Sequence, residues 1–186
     1  MAEGELTCID TEVAVIGGGT AGLNSAMAAA EAGAKVLIVD KANIVHSGSI
    51  GGGIDHFMAF LESGAEWDTR EAYLGYVGSV AKGAADLRIH DRVFCDELPA
   101  ALERIERIGV SLKNPDSGEI YRTQSMGQPG PYWINFDGKR LKPKMAMEIR
   151  RRKCEVLNRV QVTKLLVRDG EFAGFIGFNI RTGEVY

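Results

Sequence analysis

The sequence predicts an α/β fold that opens on a parallel βαβ unit. Three observations carry this reading. An apolar, β-branched run, "TEVAVIGGG", ends in glycines. A stretch rich in Ala and Leu follows it, and a second apolar run, "AKVLIVDK", closes on an acid. Two buried strands flanking a short helical stretch can pair only in parallel, through a crossover.

The first helix covers "TAGLNSAMAAAEAG", with Gly33 placed as the residue that stops it. "FMAFLESG" reads as one or two helical turns, with Asp55 capping them. "DTREAYLGYVGSVAKGAADL" begins with a capping-box spacing, Asp68 to Glu71, and repeats apolar residues at helical intervals. "DRVFCDELPAALERIERIGV" divides into two short helices at Pro99 and ends at Gly109.

The texture then changes. "GEIYRTQSMGQPGPYWINFDGKRL" is aromatic and β-branched, with turn signals at Gln128–Pro131 and Asp137–Gly138, and reads as a hairpin on an insertion. "KPKMAMEIRRRK" is helical, with Pro143 in its first turn. "CEVLNRVQVTKLLVRDGEFAGFIGFNIRTGEVY" alternates as a β-meander with turns at Asp169–Gly170 and Thr182–Gly183. The expected organisation is a cradle and loop over 11–60, a helical segment with a hairpin insertion over 61–154, and a meander over 155–186. No internal repeat is visible.

Composition narrows the function. The chain has 186 residues, 45% hydrophobic and 25% charged, with a net charge of −3. That balance makes no electrostatic case for nucleic acid or an anionic membrane. No run suggests a membrane span, and the N-terminus lacks a leader pattern. Cys8, Cys95 and Cys154 are far apart and form no CxxC pair, so they build neither a zinc site nor an iron–sulfur cluster. Three unpaired thiols fit a reducing cytoplasm.

The motif that carries chemistry is GxGxxG at Gly17, Gly19 and Gly22, set between the first strand and the first helix. Gly17 permits the tight turn. Gly19 lets a pyrophosphate approach the backbone, and Gly22 lets the helix pack against the strand. The helix N-terminus offers free N–H groups to phosphate, and Asp40 can accept from ribose hydroxyls. The bland alternative is a glycine-rich turn that binds nothing. An acid at Asp40 fits the unphosphorylated ribose of NAD or FAD. The glycine-rich stretch straight after the second strand, followed by helices and a meander, favours FAD in a Rossmann-like domain.

These residues also carry a resemblance. "VAVIGGGTAGLNSAMAAAEAGAKVLIVDKANIVHSGSIGGGI" resembles the FAD-binding N-terminal region of the succinate dehydrogenase/fumarate reductase flavoprotein family, and within it the adenylylsulfate reductase α-subunits. "WINFDGKRLKP" and "VTKLLVRDGEFAGFIGFNIRTGEVY" are similar to later segments of the same family. The resemblance implies that Gly17, Gly19, Thr20, Ala21 and Gly22 meet the pyrophosphate. Asp40 and Lys41 would meet the ribose. Ser47, Gly48, Gly52 and Gly53 would make backbone contacts around the flavin, and Val162 would meet adenine. His46 aligns with a histidine that some members join covalently to the flavin. The adenylylsulfate reductase branch instead has a basic residue and a non-covalent flavin.

The resemblance further implies an FAD-dependent oxidoreductase subunit that exchanges electrons with a separate, ferredoxin-like iron–sulfur subunit. The family's "ATGG" motif and substrate-binding residues are not found in this sequence, so no catalytic residue is assigned. The expectation is a fold truncated before its second half, with an open sheet edge prone to self-association. The alternative is a truncated FAD- or ADP-binding module without turnover. A thiazole synthase or a tRNA-modifying flavoprotein is a third reading, which the "HSGSIGGGI" register disfavours. Among the remaining residues, Asp55 and His56 are candidates for a proton relay, Trp133 for an insertion core, and His90 and "RRRK" (150–153) for solvated faces.

Overall fold

The computed structural model describes residues 6–125 and 127–186. The first five residues, read in the sequence as free of a leader pattern, lie outside the described residues. The chain divides into two compact units, Met1–Gly53 with Lys142–Tyr186, and Ile54–Leu141.

The first unit is built on a parallel sheet. Strand β1 (Val13–Ile16) pairs with β2 (Val36–Asp40), which pairs with β6 (Glu155–Asn158), in the order β1-β2-β6. All pairings are parallel, with Val13 opposite Val36 and Leu37 opposite Glu155. Strand β2 is buried along its whole length, as expected of the central strand of a parallel sheet.

Helix α1 (Thr20–Glu31) connects β1 to β2 and buries Leu23, Ala26 and Met27. Gly33 stops it as expected. At φ 91° Gly33 takes the left-handed conformation, and the Ala34 N–H reaches back to the Ala29 carbonyl at 3.1 Å, a Schellman closure. Helix α5 (Leu141–Arg151) leads the chain back into this unit and on to β6.

Strand β6 corrects the sequence expectation. It is the third strand of the parallel sheet, so the antiparallel part begins at Val160. Four alternating residues cannot reveal which neighbour they will pair with. Strands β7 (Val160–Arg168) and β8 (Glu171–Asn179) form the hairpin, turning through Asp169 and Gly170 at positive φ. The chain then folds back, and Phe178 and Leu6 each bridge to Val185. Leu37, Val39 and Val160 form the core here, with Ile9, Leu157, Val162, Phe175 and Tyr186 packed around them.

The second unit holds a three-stranded antiparallel sheet, order β3-β5-β4. It comprises β3 (His56–Met58), β4 (Tyr121–Thr123) and β5 (Trp133–Asn135). The expected hairpin is β4 and β5. The expected helical turns at "FMAFLESG" are absent, because His56–Met58 is spent on pairing with β5. Asp55 therefore caps no helix; its carboxylate meets the His56 ring instead.

Helix α2 (Arg70–Ala81) is capped by the Thr69 hydroxyl, not by Asp68. Asp68 is drawn away into a buried network. It accepts from the Ser63 N–H at 3.0 Å and from Arg122 Nη1 at 2.9 Å. Arg122 also donates to the Pro131 and Ala59 carbonyls and lies over the Trp67 ring. Helix α3 (Leu87–His90) runs through a π-helical turn, Asp91–Asp96, to α4 (Leu98–Arg107), where Pro99 opens the first turn. His90 is half-buried and stacks on Phe94, rather than standing on the surface. Phe60, Tyr73, Val77 and Tyr132 form the main core of this unit.

Candidate dinucleotide-binding site

The site starts where β1 ends. The Gly17 N–H donates to the Val39 carbonyl at 2.8 Å, which carries the pairing one residue past the strand. Gly17 then turns the chain at φ 107°, a conformation that side-chain-bearing residues rarely adopt. Gly18 is buried, and a Cβ there would lie 2.5 Å from the Ile44 side chain. A Cβ on Gly22 would overlap the Gly17 carbonyl oxygen, so this residue lets α1 close on the turn. Gly19 is different: a Cβ there would meet only Gly48 Cα, at 3.7 Å. Its missing side chain leaves open space rather than relieving a clash.

Gly19 is the N-cap of α1. No side chain caps this helix end, and no acid occupies its first turn. Among the described residues, no carbonyl or side chain accepts from the N–H groups of Gly19, Thr20 or Ala21. A helix start left this way directs free N–H groups and the positive end of the helix dipole at one point. That is the arrangement a phosphate fills.

Three side chains from three parts of the unit hold the Gly18 peptide. Asp40, at the end of β2, accepts the Gly18 N–H on Oδ2 at 2.6 Å and the Ala42 N–H on Oδ1 at 2.6 Å. The Ser47 hydroxyl donates to the Gly18 carbonyl at 2.9 Å. The Lys142 ammonium, at the start of α5, donates to the same carbonyl at 2.5 Å. Lys142 is only 1% exposed. Burial pushes its pKa below the usual lysine value, and the Asp40 carboxylate partly restores it.

The stretch from Lys41 to Gly53 winds against this loop. The His46 and Ser47 N–H groups both donate to the Asn43 carbonyl, and the Ile44 N–H donates to Asn158 Oδ1 at 2.9 Å. Gly48 sits at φ 85° directly against Gly19, where a Cβ would come 2.9 Å from Gly19 Cα. A Cβ on Gly51 would overlap the His46 carbonyl oxygen, so Gly51 permits the tight turn. Gly52 faces open space, and Gly53 turns away at φ 109°.

Of the residues expected from the sequence, Gly17, Gly19, Thr20, Ala21, Gly22, Asp40, Ser47 and Gly48 come together around the first turn of α1. Lys41 and His46 flank them, both exposed. Gly52 and Gly53 lie further along the same loop. Val162 lies on β7, with its side chain in the Leu37–Val160 cluster and its carbonyl accepting from Gln161 Nε2 at 2.8 Å. The Asp40 carboxylate is 5% exposed and already accepts two N–H groups, but two oxygens offer about four acceptor positions.

Sequence reasoning missed Gly18, Ile44, Lys142 and Asn158. The GGG run held a signal for Gly18. Lys142 left none, because it acts across 124 positions.

No helix among the described residues is long and apolar enough to cross a membrane. The described residues contain no group of His, Cys, Asp and Glu side chains arranged to hold a metal ion.

A family model described as "FAD binding domain" matches residues 12–186. A fumarate reductase (CoM/CoB) flavoprotein relative from Methanothermobacter marburgensis is 26% identical over 178 residues, covering 94% of this chain and 32% of that protein. The structure of adenylylsulfate reductase from Archaeoglobus fulgidus matches with a TM-score of 0.80 and 25% identity, over 99% of this chain and 29% of that one. The Mycobacterium smegmatis Sdh1 complex matches in fold, with a TM-score of 0.81 at 20% identity, over 94% of this chain and 32% of that one. The chain thus spans about a third of the length of these relatives.

Proposed function

The chain belongs to the FAD binding domain family, and on that premise we propose that it is the FAD-binding portion of a flavoprotein oxidoreductase subunit of the fumarate reductase and adenylylsulfate reductase kind. The observation that carries the reading is the uncapped, acid-free start of α1 beside the triply held Gly18 peptide.

Each part of the cofactor has a place. The Gly19, Thr20 and Ala21 N–H groups bind the diphosphate, with Gly17 and Gly22 shaping the turn beneath it. Asp40 accepts from the ribose hydroxyls on its remaining lone pairs, with Lys41 beside it. The backbone of β7 at Val162 meets adenine. The loop carrying Ser47, Gly48, Gly52 and Gly53 runs towards the flavin ring, which His46 flanks. FAD, when bound, supplies the redox chemistry. The residues of this chain bind and orient it, and no acid or base is assigned to the reaction.

Electrons would pass to or from a separate iron–sulfur subunit. The support for this is the kinship with fumarate reductase and adenylylsulfate reductase, together with the lack of a cluster motif in the sequence. A second reading is a module that holds FAD or ADP without turnover. Its support is that the chain spans only 29% of the adenylylsulfate reductase chain it matches.

One experiment separates the two. The chain loaded with FAD is offered a reduced ferredoxin-type donor, and bleaching of the flavin band is followed. Bleaching supports the electron-transfer role. A bound flavin that stays oxidised supports the bare module.

A further inference from the structure

Lys142 is hard to explain by packing alone. A buried ammonium set against a neutral carbonyl loses hydration and gains one hydrogen bond. A methionine would fill the same volume without that penalty. The charge has a reason only if other charges share its surroundings. One is present: the Asp40 carboxylate holds the N–H of Gly18, while Lys142 holds the carbonyl of the same residue. The second is the anion that the start of α1 is built to take.

Asp40 creates a difficulty for that anion. Its carboxylate accepts from Gly18, immediately before the free N–H groups of Gly19 to Ala21, so a bound diphosphate lies close to a buried negative charge. Like charges at such a separation repel strongly where water is excluded. A buried ammonium on the other side of the peptide offsets this. It also turns the Gly18 carbonyl into the protein, leaving the next N–H groups to face outward.

We propose that Lys142 is a positioning residue for the dinucleotide, a buried counter-charge that fixes the Gly18 peptide and offsets Asp40 so that the glycine loop can hold a diphosphate. The inference rests on the FAD-cradle reading given above. The charged group acting on Lys142 is Asp40; Ser47, which shares the Gly18 carbonyl, does not titrate in the relevant range.

The test uses the whole chain, with Lys142→Met and Lys142→Arg variants. FAD affinity is read by quenching of flavin fluorescence. ADP, which carries a diphosphate and no flavin, is titrated calorimetrically at about pH 8 and about pH 10, on either side of a depressed lysine pKa. Lys142→Met should bind FAD roughly thirtyfold more weakly, with Lys142→Arg staying near wild type. Wild-type ADP affinity should fall between the two pH values, and that of Lys142→Met should not.

A Met variant that binds FAD as tightly as wild type overturns the inference while leaving the cradle reading intact. So does an Arg variant as weak as the Met variant. If Lys142→Met does not fold, the wild-type ADP titration decides, and equal affinities at the two pH values overturn the inference. A wild-type chain that binds neither FAD nor ADP overturns both the inference and the reading beneath it.

Discussion

The carboxylate of Asp40 accepts the N–H of Gly18 at 2.6 Å, across 22 positions of sequence. The acid that closes β2 therefore ties down the glycine turn itself, in addition to any contact with ribose. Asp40→Ala would leave the Gly18 and Ala42 N–H groups without their acceptor. The expected loss is about 3 kcal/mol of stability, measured as a lower denaturation midpoint of the chain without ligand. A variant that lost only FAD affinity and kept its midpoint would show that the tie is incidental.

Gly19→Ala and Gly22→Ala should fail differently. A Cβ at Gly19 has room in the protein itself and stands where a phosphate would approach. This variant should melt close to wild type and bind FAD at least about tenfold more weakly. At Gly22 the added carbon collides with the Gly17 carbonyl, so stability should drop by roughly 2 kcal/mol along with binding. Equal melting temperatures for the two variants would contradict the distinction.

The Asp68–Arg122 pair should set the acid stability of the second unit. Burial pushes the Asp68 pKa up, but hydrogen bonds from Ser63 and Arg122 outweigh it and leave the group below the ordinary value of 3.8. Its contribution is thus complete above the unfolded value. It is lost as pH falls through the lower folded value, so the acid transition lies below about pH 4. Arg122→Met strands a carboxylate whose side chain is 0% exposed, at a cost of about 3 kcal/mol. Thermal melts at neutral and acid pH, with Asp68→Asn for comparison, would show whether that slope belongs to this carboxylate.

His46 should flank the flavin without bonding to it. Its side chain is exposed, and its neighbour Ser47 is engaged with the phosphate loop rather than with the histidine ring. Acid precipitation of the loaded chain should leave the flavin in the supernatant. Yellow colour retained in the pellet, and lost in His46→Ala, would assign a covalent bond instead.

Much of this site was legible in the sequence because its logic is local. The turn, the helix start and the acid of β2 lie within one βαβ unit, and glycines announce positions where a side chain cannot fit. What stayed hidden depends on distant pairing. Strand β6 looks like any alternating strand until β2 claims it. Asp68 has the spacing of a helix cap, but Arg122, 54 positions away, takes its carboxylate. Lys142 sits in an ordinary basic, helical stretch, and only the folded chain sets its ammonium against Gly18. His56–Met58 reads as the start of a helical turn because the strand it pairs with arrives much later in the chain.

The most direct test of FAD binding is a titration of the purified chain with FAD, followed by gel filtration and a visible spectrum. The flavin band should travel with the protein in equimolar amount, and bound FAD should raise the melting temperature. A protein peak without flavin, and a melting temperature unmoved by excess FAD, would contradict it.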